Sequence, residues 1–439
     1  MSYAFDQVAQ LVSSADPVST DYAIALPNLA AAGLPPKVIW VWMTGAELSS
    51  GPDDIVFSYG IGISTTNRFY IAGRSNTSAV TSNCSHRHAT DRILAELDVS
   101  GAGTTVGRLD LQSMATNGQV TLRVTNAFAA DYIITVCAEG GTDRTNVALF
   151  HAAPGAGVVN ITTPGFIPDY VECSGTGTSG SFPLVNTTAM GGISIGRATP
   201  NTGANHVLAG ISLDAVAASR NTARYAREDE CYAISSNAST ITFRAAITGP
   251  TAGGFVWSNT EGAGSRQVSF LCLKGGSIEI GSLTTPFPVD SDTSIALGGV
   301  DLKGGFLSSH CTVQSTSDTV QDGFELSLGA FTEPEGANST QCHGFNDPDN
   351  TVGTTAGSTA NFLDILFVNL DAAGAVEGFV TDDTGVTNPS QFNIEEALEG
   401  PASLLLYAAF GPTPAAAAPG GLDDLILTDS ARGFGLRIR

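Results

Sequence analysis

The chain contains little charge and very little lysine. Only 14% of its 439 residues are Asp, Glu, Lys or Arg, and the lysines are Lys37, Lys274 and Lys303. Long helices favour Ala, Leu, Glu, Lys and Arg, so this shortage argues against a mainly helical protein. The 50 glycines and the abundant Ser, Thr and Val instead favour strands joined by turns. The predicted fold class is therefore all-β.

Positive charge is also scarce. The formal net charge is −23 and the isoelectric point is near 4.4. Such a chain repels phosphate backbones unless it carries a local basic patch, and the sequence has only one cluster, Arg432, Arg437 and Arg439. A short arginine tail is typical of a solvated end or a docking peptide. We expect no nucleic-acid partner.

Long apolar runs and targeting signals are missing too. The first residues lack the basic and apolar regions of a secretory signal. The runs "VIWVWM" and "ASLLLYAAF" have the length of strands, well below the roughly 18 residues of a membrane helix. We expect a chain that is made in the cytoplasm, does not insert into membranes and, at 42% hydrophobic residues, folds.

None of the seven cysteines lies in a CxxC pair, which argues against zinc ribbons and thioredoxin chemistry. Cys137 and Cys272 lie in apolar runs and are predicted to be core residues. Cys84, Cys231 and Cys342 lie in more polar segments and could form cross-links outside the cell. The sequence leaves the pairing open.

Three landmarks recur in the same order along the chain. An entry turn and strand begin at Gly33, Gly165 and Gly299, at intervals of 132 and 134 residues. A Ser-x-Gly strand end follows, with its glycine at Gly60, Gly196 and Gly329. A closing apolar strand contains Cys137, Cys272 and Tyr407, at two intervals of 135 residues, so Cys272 reads as a sheet position with no need for a thiol.

Segments such as "GRLDLQS" and "STITFRAAI" alternate apolar and polar residues between these landmarks. This period of two predicts antiparallel sheets with one buried face. The predicted architecture is three tandem β-sandwich, jelly-roll-like domains. The divisions are an N-terminal arm (1–22), repeats at 23–143, 144–276 and 277–412, and a linker with a C-terminal arm (413–439) that could add a strand to a neighbouring protein.

Two short helices are predicted within this β framework. The first is an amphipathic piece near the N-terminus with Phe5, Val8 and Leu11 on one side. The second is "IEEALEG", around Glu395.

Four motifs suggest chemistry, and each has a plainer interpretation. "GISIG" around Ser194 matches an esterase elbow, but no helix can follow it, so we interpret Ser194 as a strand residue. "NCSHRHATD" offers Cys84, His86, His88 and Asp91 as metal ligands, yet a polar, partly exposed loop is the preferred interpretation.

The other two motifs concern calcium and sugar. "NDPDNT" (346–351) and "DSDT" (290–293) offer oxygen ligands for calcium, but they also resemble ordinary turns. Trp40 and Trp42 alternate with aliphatic residues, so one set should face outward, where we expect a protein interface in preference to a sugar site. We predict no catalytic residue, no cofactor and no metal.

The repeat resembles tandem β-sandwich repeats in virion proteins of tailed bacteriophages and prophages. In the second copy the matching elements are "GFIPDYV", "SIGRAT", "ARYARED", "STITFRA" and "SFLCLKGG". The first copy offers "GLPPKVIWVW", "HATDRI", "QVTLRVTN" and "ITVCAEGG", and the third departs furthest, with "GVDLKGG" and "LLLYAAFG". The resemblance covers about residues 23 to 411 and its motifs are strand and turn signatures, which imply a scaffold in a virus particle.

The resulting hypothesis is a non-enzymatic structural protein of a tailed-phage particle, as a tail appendage, head fibre or capsid decoration. It is made in the host cytoplasm and assembled into the extracellular virion, with other virion proteins and further copies of itself as partners. The alternative is an adsorption protein that binds a host glycan or surface protein. A depolymerase or esterase would need a cleft with clustered carboxylates or a triad, which the sequence does not offer.

Overall fold

The structure is a computed structural model of the 439-residue chain. It describes residues 2–45, 51–52, 55–76, 83–98, 102–186, 192–212, 222–237, 240–262, 264–285, 292–311, 320–333, 340–347, 358–370, 376–382, 391–398 and 400–413.

Almost all regular structure is β. The first third contains β1 Tyr3–Val12, β2 Asp21–Ala25, helix α1 Pro27–Ala32, β3 Val38–Thr44, β4 Gly51–Pro52, β5 Ile55–Gly62, β6 Arg68–Asn76, β7 Asn83–Ala89, β8 Leu94–Leu97, β9 Thr105–Ala115, β10 Gln119–Asn126 and β11 Tyr132–Gly141. The second contains β12 Arg144–Ala152, β13 Gly157–Ile161, β14 Tyr170–Gly175, β15 Leu184–Asn186, β16 Gly192–Thr199, β17 Ala204–Ser212, β18 Thr222–Arg227, β19 Tyr232–Asn237, β20 Thr240–Thr251, β21 Gly254–Glu261 and β22 Val268–Gly275. The last contains β23 Ser277–Thr284, β24 Asp292–Ala296, β25 Gly304–Ser309, β26 Gln321–Asp322, β27 Phe324–Thr332, β28 Thr340–Asp347, β29 Ser358–Leu363, β30 Phe367–Leu370, β31 Val376–Asp382, β32 Gln391–Leu398 and β33 Leu404–Gly411.

The strands form three seven-stranded and three four-stranded sheets. The large sheets have the orders β1-β11-β3-β5-β6-β7-β15, β12-β22-β14-β16-β17-β18-β26 and β23-β33-β25-β27-β28-β29-β4. The small sheets have the orders β2-β10-β9-β8, β13-β21-β20-β19 and β24-β32-β31-β30. All pairings are antiparallel, so the all-β, sandwich-type prediction is confirmed. We call the three successive parts of the chain, β1–β11, β12–β22 and β23–β33, units; each supplies one small sheet and six of the seven strands of a large sheet.

Each large sheet is completed by a strand from another unit. β15 of the second unit pairs with β7 of the first, and β26 of the third pairs with β18 of the second. The ring closes when β4 of the first unit pairs with β29 of the third. Because the units exchange strands in a cycle, they form one body, and their division into three separate domains stays a prediction.

Two kinds of hydrophobic core result. Each unit has its own core between its two sheets, which we call a sandwich core, with members such as Val41, Cys173 and Leu307. The other face of each large sheet packs into a single core that contains residues of all three units, which we call the shared core. Central strands such as β3, β5 and β16 are therefore buried at every position.

Both predicted helices are wrong. Residues 3–12 form β1, which pairs with β11 along its whole length, so this part of the predicted N-terminal arm belongs to the first large sheet. Tyr3 and Phe5 enter the shared core and Ala4 enters the sandwich core, an alternation that the helical spacing concealed. Residues 394–398 of "IEEALEG" lie in β32, between β24 and β31, where neighbouring strands override helix propensity.

The helix that does form, α1, was not predicted. Its signals are Pro27 at the first turn and Gly33 at the C-terminal cap, where φ is 65°. It has six residues, and no helix among the described residues is long and apolar enough to cross a membrane.

The Ser-x-Gly landmark is where the two sheets of a unit meet. The Oγ atoms of Ser58, Ser194 and Ser327 accept hydrogen bonds from the backbone N–H groups of Ala95, Ala233 and Val368, at 3.1, 3.2 and 3.1 Å. Two residues on, a Cβ at Gly60, Gly196 or Gly329 would overlap the carbonyl oxygen of Ile93, Cys231 or Leu366. The serine satisfies a small-sheet donor, and the glycine lets the small sheet approach.

We predict that Gly196→Ala destabilises the protein by about 3 kcal/mol or more, because backbone atoms must move to admit the methyl group. Gly249→Ala is the matched control, since a Cβ there meets nothing within 4 Å. It should be neutral or slightly stabilising. Urea unfolding of both variants is the measurement, and equal midpoints would contradict the close-approach role of Gly196.

Candidate functional site

Ser194, the serine of the "GISIG" motif, is a strand residue, as the sequence indicated. It lies in β16 and is completely buried. Its oxygen is occupied by the Ala233 N–H group. The position therefore holds the two sheets together and lacks the exposed turn that an esterase nucleophile needs.

The "NCSHRHATD" segment is not a polar loop, and that interpretation was wrong. Residues 83–89 form β7, in which Cys84, His86 and His88 are 3%, 5% and 0% exposed. His88 Nε2 lies 2.6 Å from Ser269 Oγ of the second unit, and His151 Nδ1 lies 2.7 Å from the same oxygen. The histidines therefore belong to a contact between units.

Calcium stays an untested alternative, because residues 348–351 and 290–291 of the two acidic motifs lie outside the described residues. Asn346 is described, and its amide donates to the Leu370 carbonyl at 2.6 Å. Within the described part of the chain, no group of three or more His, Cys, Asp or Glu side chains is placed to hold a metal ion.

Trp40 and Trp42 both face the shared core, while Ile39 and Val41 face the sandwich core. The expectation that one set faces outward was wrong, because both faces of β3 are covered. The Trp40 and Trp42 rings lie 5.2 and 5.8 Å from the ring of Phe306 in the third unit. The two tryptophans therefore pack between units of the same chain, and an interface with another protein stays a prediction.

A buried carboxylate, Glu172, lies in the middle of the shared core. Tyr59 donates to one oxygen, while Trp40 Nε1 and the Tyr170 hydroxyl donate to the other at 3.2 and 3.0 Å. Burial, and then the Glu172 charge, raise the pKa of both tyrosines well above the usual value, so they remain donors. Arg197, the cross-strand partner of Glu172, donates to Ser308 Oγ of the third unit at 3.0 Å.

A second buried charge closes one end of the shared core. The Arg144 guanidinium donates to both Glu139 oxygens, at 2.7 and 2.8 Å, and to the Gly275 carbonyl. The Tyr3 hydroxyl donates to Glu139 at 2.5 Å. Burial alone would lower the pKa of Arg144, but the charges of Glu139 and Tyr3 and the hydrogen bonds to them together outweigh burial and raise the pKa. This cluster joins the start of the chain to the ends of the first two units.

The ends of the three units converge near Arg144. Asp143 accepts the backbone N–H of Thr413 at 3.2 Å, and the Thr413 hydroxyl accepts the N–H of Gly276 at 3.2 Å. The boundaries drawn near residues 143, 276 and 412 thus meet in space. The remaining C-terminal arm, with Arg432, Arg437 and Arg439, lies outside the described residues.

All seven cysteines are buried free thiols, including Cys84, Cys231 and Cys342, which lie in segments that the sequence suggested were more polar.

The positions in the other units that correspond to Cys272 differ from those predicted. In each unit, a backbone N–H group just before the entry strand donates to a carbonyl of the closing strand. The three pairs are Lys37 with Glu139, Asp169 with Leu273 and Lys303 with Phe410. The residues preceding these acceptors are Ala138, Cys272 and Ala409, which all enter sandwich cores, whereas Cys137 enters the shared core.

Two cavities lie between the units. One is lined by Phe57, Ile193 and Phe324, one from each unit, among others. The other includes Trp42, Arg197 and Phe306 in its lining. Each has room for only about one water molecule, far less than a ligand needs.

No protein-family model matches the chain, and no curated protein sequence matches it.

We predict that Arg144→Met destabilises the protein by about 3–5 kcal/mol, because it leaves the Glu139 carboxylate buried without its cation. Combining Arg144→Met with Glu139→Gln should recover at least half of the loss, since the amide is neutral and still accepts from Tyr3. Chemical unfolding of the single and double variants is the measurement. A double variant as unstable as the single one would contradict the ion-pair explanation.

Histidine burial predicts a pH effect. Burial lowers the pKa of all six histidines, to about 4 for His86, His151 and His206 and to about 3 for His88, His310 and His343. The unfolded chain titrates near 6.5 and binds these protons first, so stability should fall as the pH drops from about 6.5 to about 4. Burial raises the pKa of Asp6 to about 6 and of Glu230 and Glu325 to about 7. The folded chain therefore binds these three protons before the unfolded chain does, so these carboxyls increase stability as the pH falls from about 7 to about 4.

On acidification, the stability lost through six histidines exceeds the stability gained through three carboxyls. We therefore expect the urea midpoint to decrease as the pH is lowered from 6.5 to 4.5. His343→Gln should make this decrease shallower, since the His343 ring is neutral where it accepts from Thr44 N at 3.3 Å and contacts Thr135 Oγ1 at 2.7 Å. A midpoint that rises on acidification would contradict the assignment.

Proposed function

We propose that the chain is a non-enzymatic structural protein of a tailed-bacteriophage particle, where it contributes a ring of three β-sandwich units to a surface appendage or decoration. The phage context rests on the strand and turn motifs of the repeat. The structural role is supported by one observation above all: three units exchange strands in a closed cycle around a shared core.

The candidate chemistry also supports this role. Ser194, His86 and His88 are buried between sheets or units, and Ser194 and His88 make hydrogen bonds there. The tryptophans Trp40, Trp42 and Trp257 are 0%, 1% and 0% exposed, so none offers a face to a host sugar. The burial of the tryptophans therefore favours a scaffold over an adsorption protein that binds a host glycan through tryptophan.

The test is to find the protein in particles. Phage particles from the source, purified on a density gradient, should contain the chain in a fixed ratio to the major capsid protein. A chain that stays in the soluble fraction of the lysate would refute the proposal. A non-structural phage protein from the same lysate is the control for contamination.

Two further measurements separate this function from its competitors. The purified protein should not bind host cells and should not cleave host polysaccharide. Saturable cell binding would favour an adsorption protein. Cleavage that is lost on changing a single Asp or Glu would identify an enzyme and overturn the proposal.

A further inference from the structure

The outer edge of each small sheet is a five-residue strand. β2 pairs with β10, β13 with β21 and β24 with β32, and among the described residues no other strand pairs with any of them. Such an edge presents unpaired backbone N–H and C=O groups, on which another strand can be added. Natural proteins protect these edges with charged side chains, prolines or bulges.

The three edges differ in charge. β2 contains Asp21, which forms an exposed ion pair with Arg123 at 2.6 Å, and the sequence of β24 includes Asp292. β13 has the sequence Gly-Val-Val-Asn-Ile, without a charge or a proline. It lies within residues 152–168, none of which is charged, and Val158 is 71% exposed. The edge of the second small sheet is therefore the unprotected one.

We propose that β13 pairs antiparallel with β13 of a second copy of the chain, which joins two small sheets into one. An antiparallel pair of identical strands is self-complementary about a twofold axis. With the axis at Val159, that residue lies opposite itself, and Val158 lies opposite Asn160 of the second copy. This inference does not depend on the virion role.

A second copy fits this edge because an antiparallel pair of β13 strands is self-complementary and the segment carries no charge. Two chains that each carry a net charge of −23 repel each other wherever their charged surfaces meet. The uncharged segment 152–168 is a place where two copies can approach without that cost. Pro154 and Pro164 flank β13 and limit the pairing to a short strand. Because the contact is isologous, it closes after two copies.

Two substitutions at β13 test the pairing, each with a matched control on β2. Val158→Lys places a charge at an exposed position and should leave the fold intact, while Ala23→Lys does the same on β2. At about 100 µM, the unmodified chain and Ala23→Lys should sediment with twice the 44.9 kDa chain mass, and Val158→Lys as a monomer. Added salt should strengthen the unmodified dimer by screening the net charge.

The second substitution tests the pairing through the formation of a cross-link between two copies. Val159→Cys should form a covalent dimer on mild oxidation, because the two thiols lie opposite each other and the native cysteines are buried. Ala23→Cys should not cross-link.

Three outcomes overturn the proposal: an unmodified chain that is monomeric at high salt, a dimer that survives Val158→Lys, or failure of Val159→Cys to cross-link. If removal of residues 414–439 abolishes association and Val159→Cys does not cross-link, the C-terminal segment is the occupant of the edge.

Discussion

The structure depends on one constraint, which is that the large sheets are apolar on both faces. In strands such as β3, β16 and β33, residues that point one way fill a sandwich core and residues that point the other way fill the shared core. A sheet of this kind cannot remain in water with only one face covered. Each unit therefore needs the other two, and the exchanged strands β4, β15 and β26 fix the arrangement at the sheet edges.

The same constraint determines what polar residues can do. A polar atom in the shared core must find a partner inside the protein, because water does not reach it. Glu172 obtains three donors from two units, and Arg144 obtains a carboxylate and a carbonyl from two units. Such groups are expensive to leave unpaired, so they specify which unit contacts which. This explains why Ser194 of the esterase-like motif joins two sheets and why His88 of the histidine segment joins two units.

Much of the fold could be predicted from the sequence, because its strands repeat and its turns are marked by glycine and proline. The Ser-x-Gly landmark was found from its interval, and the structure adds its physical reason in the approach of Gly196 to Cys231. The strand exchange could not be predicted, since β4 and β26 are two residues long and carry no pattern. The buried state of His88 was missed for a related reason, because its partner Ser269 lies 181 residues away.

The equal spacing of the closing strands gave the wrong counterpart for Cys272, because successive side chains in a strand point to opposite faces of the sheet. The interval of 135 residues aligned Cys137 with Cys272, yet a shift of one residue in a strand moves a side chain to the opposite face. Hydrogen bonds from the entry strands align Ala138 with Cys272 instead, and both of these side chains face sandwich cores. The third unit has Ala409 at this position, which also faces a sandwich core. What the three units share there is a small side chain that points into the sandwich core, so the position does not require a thiol.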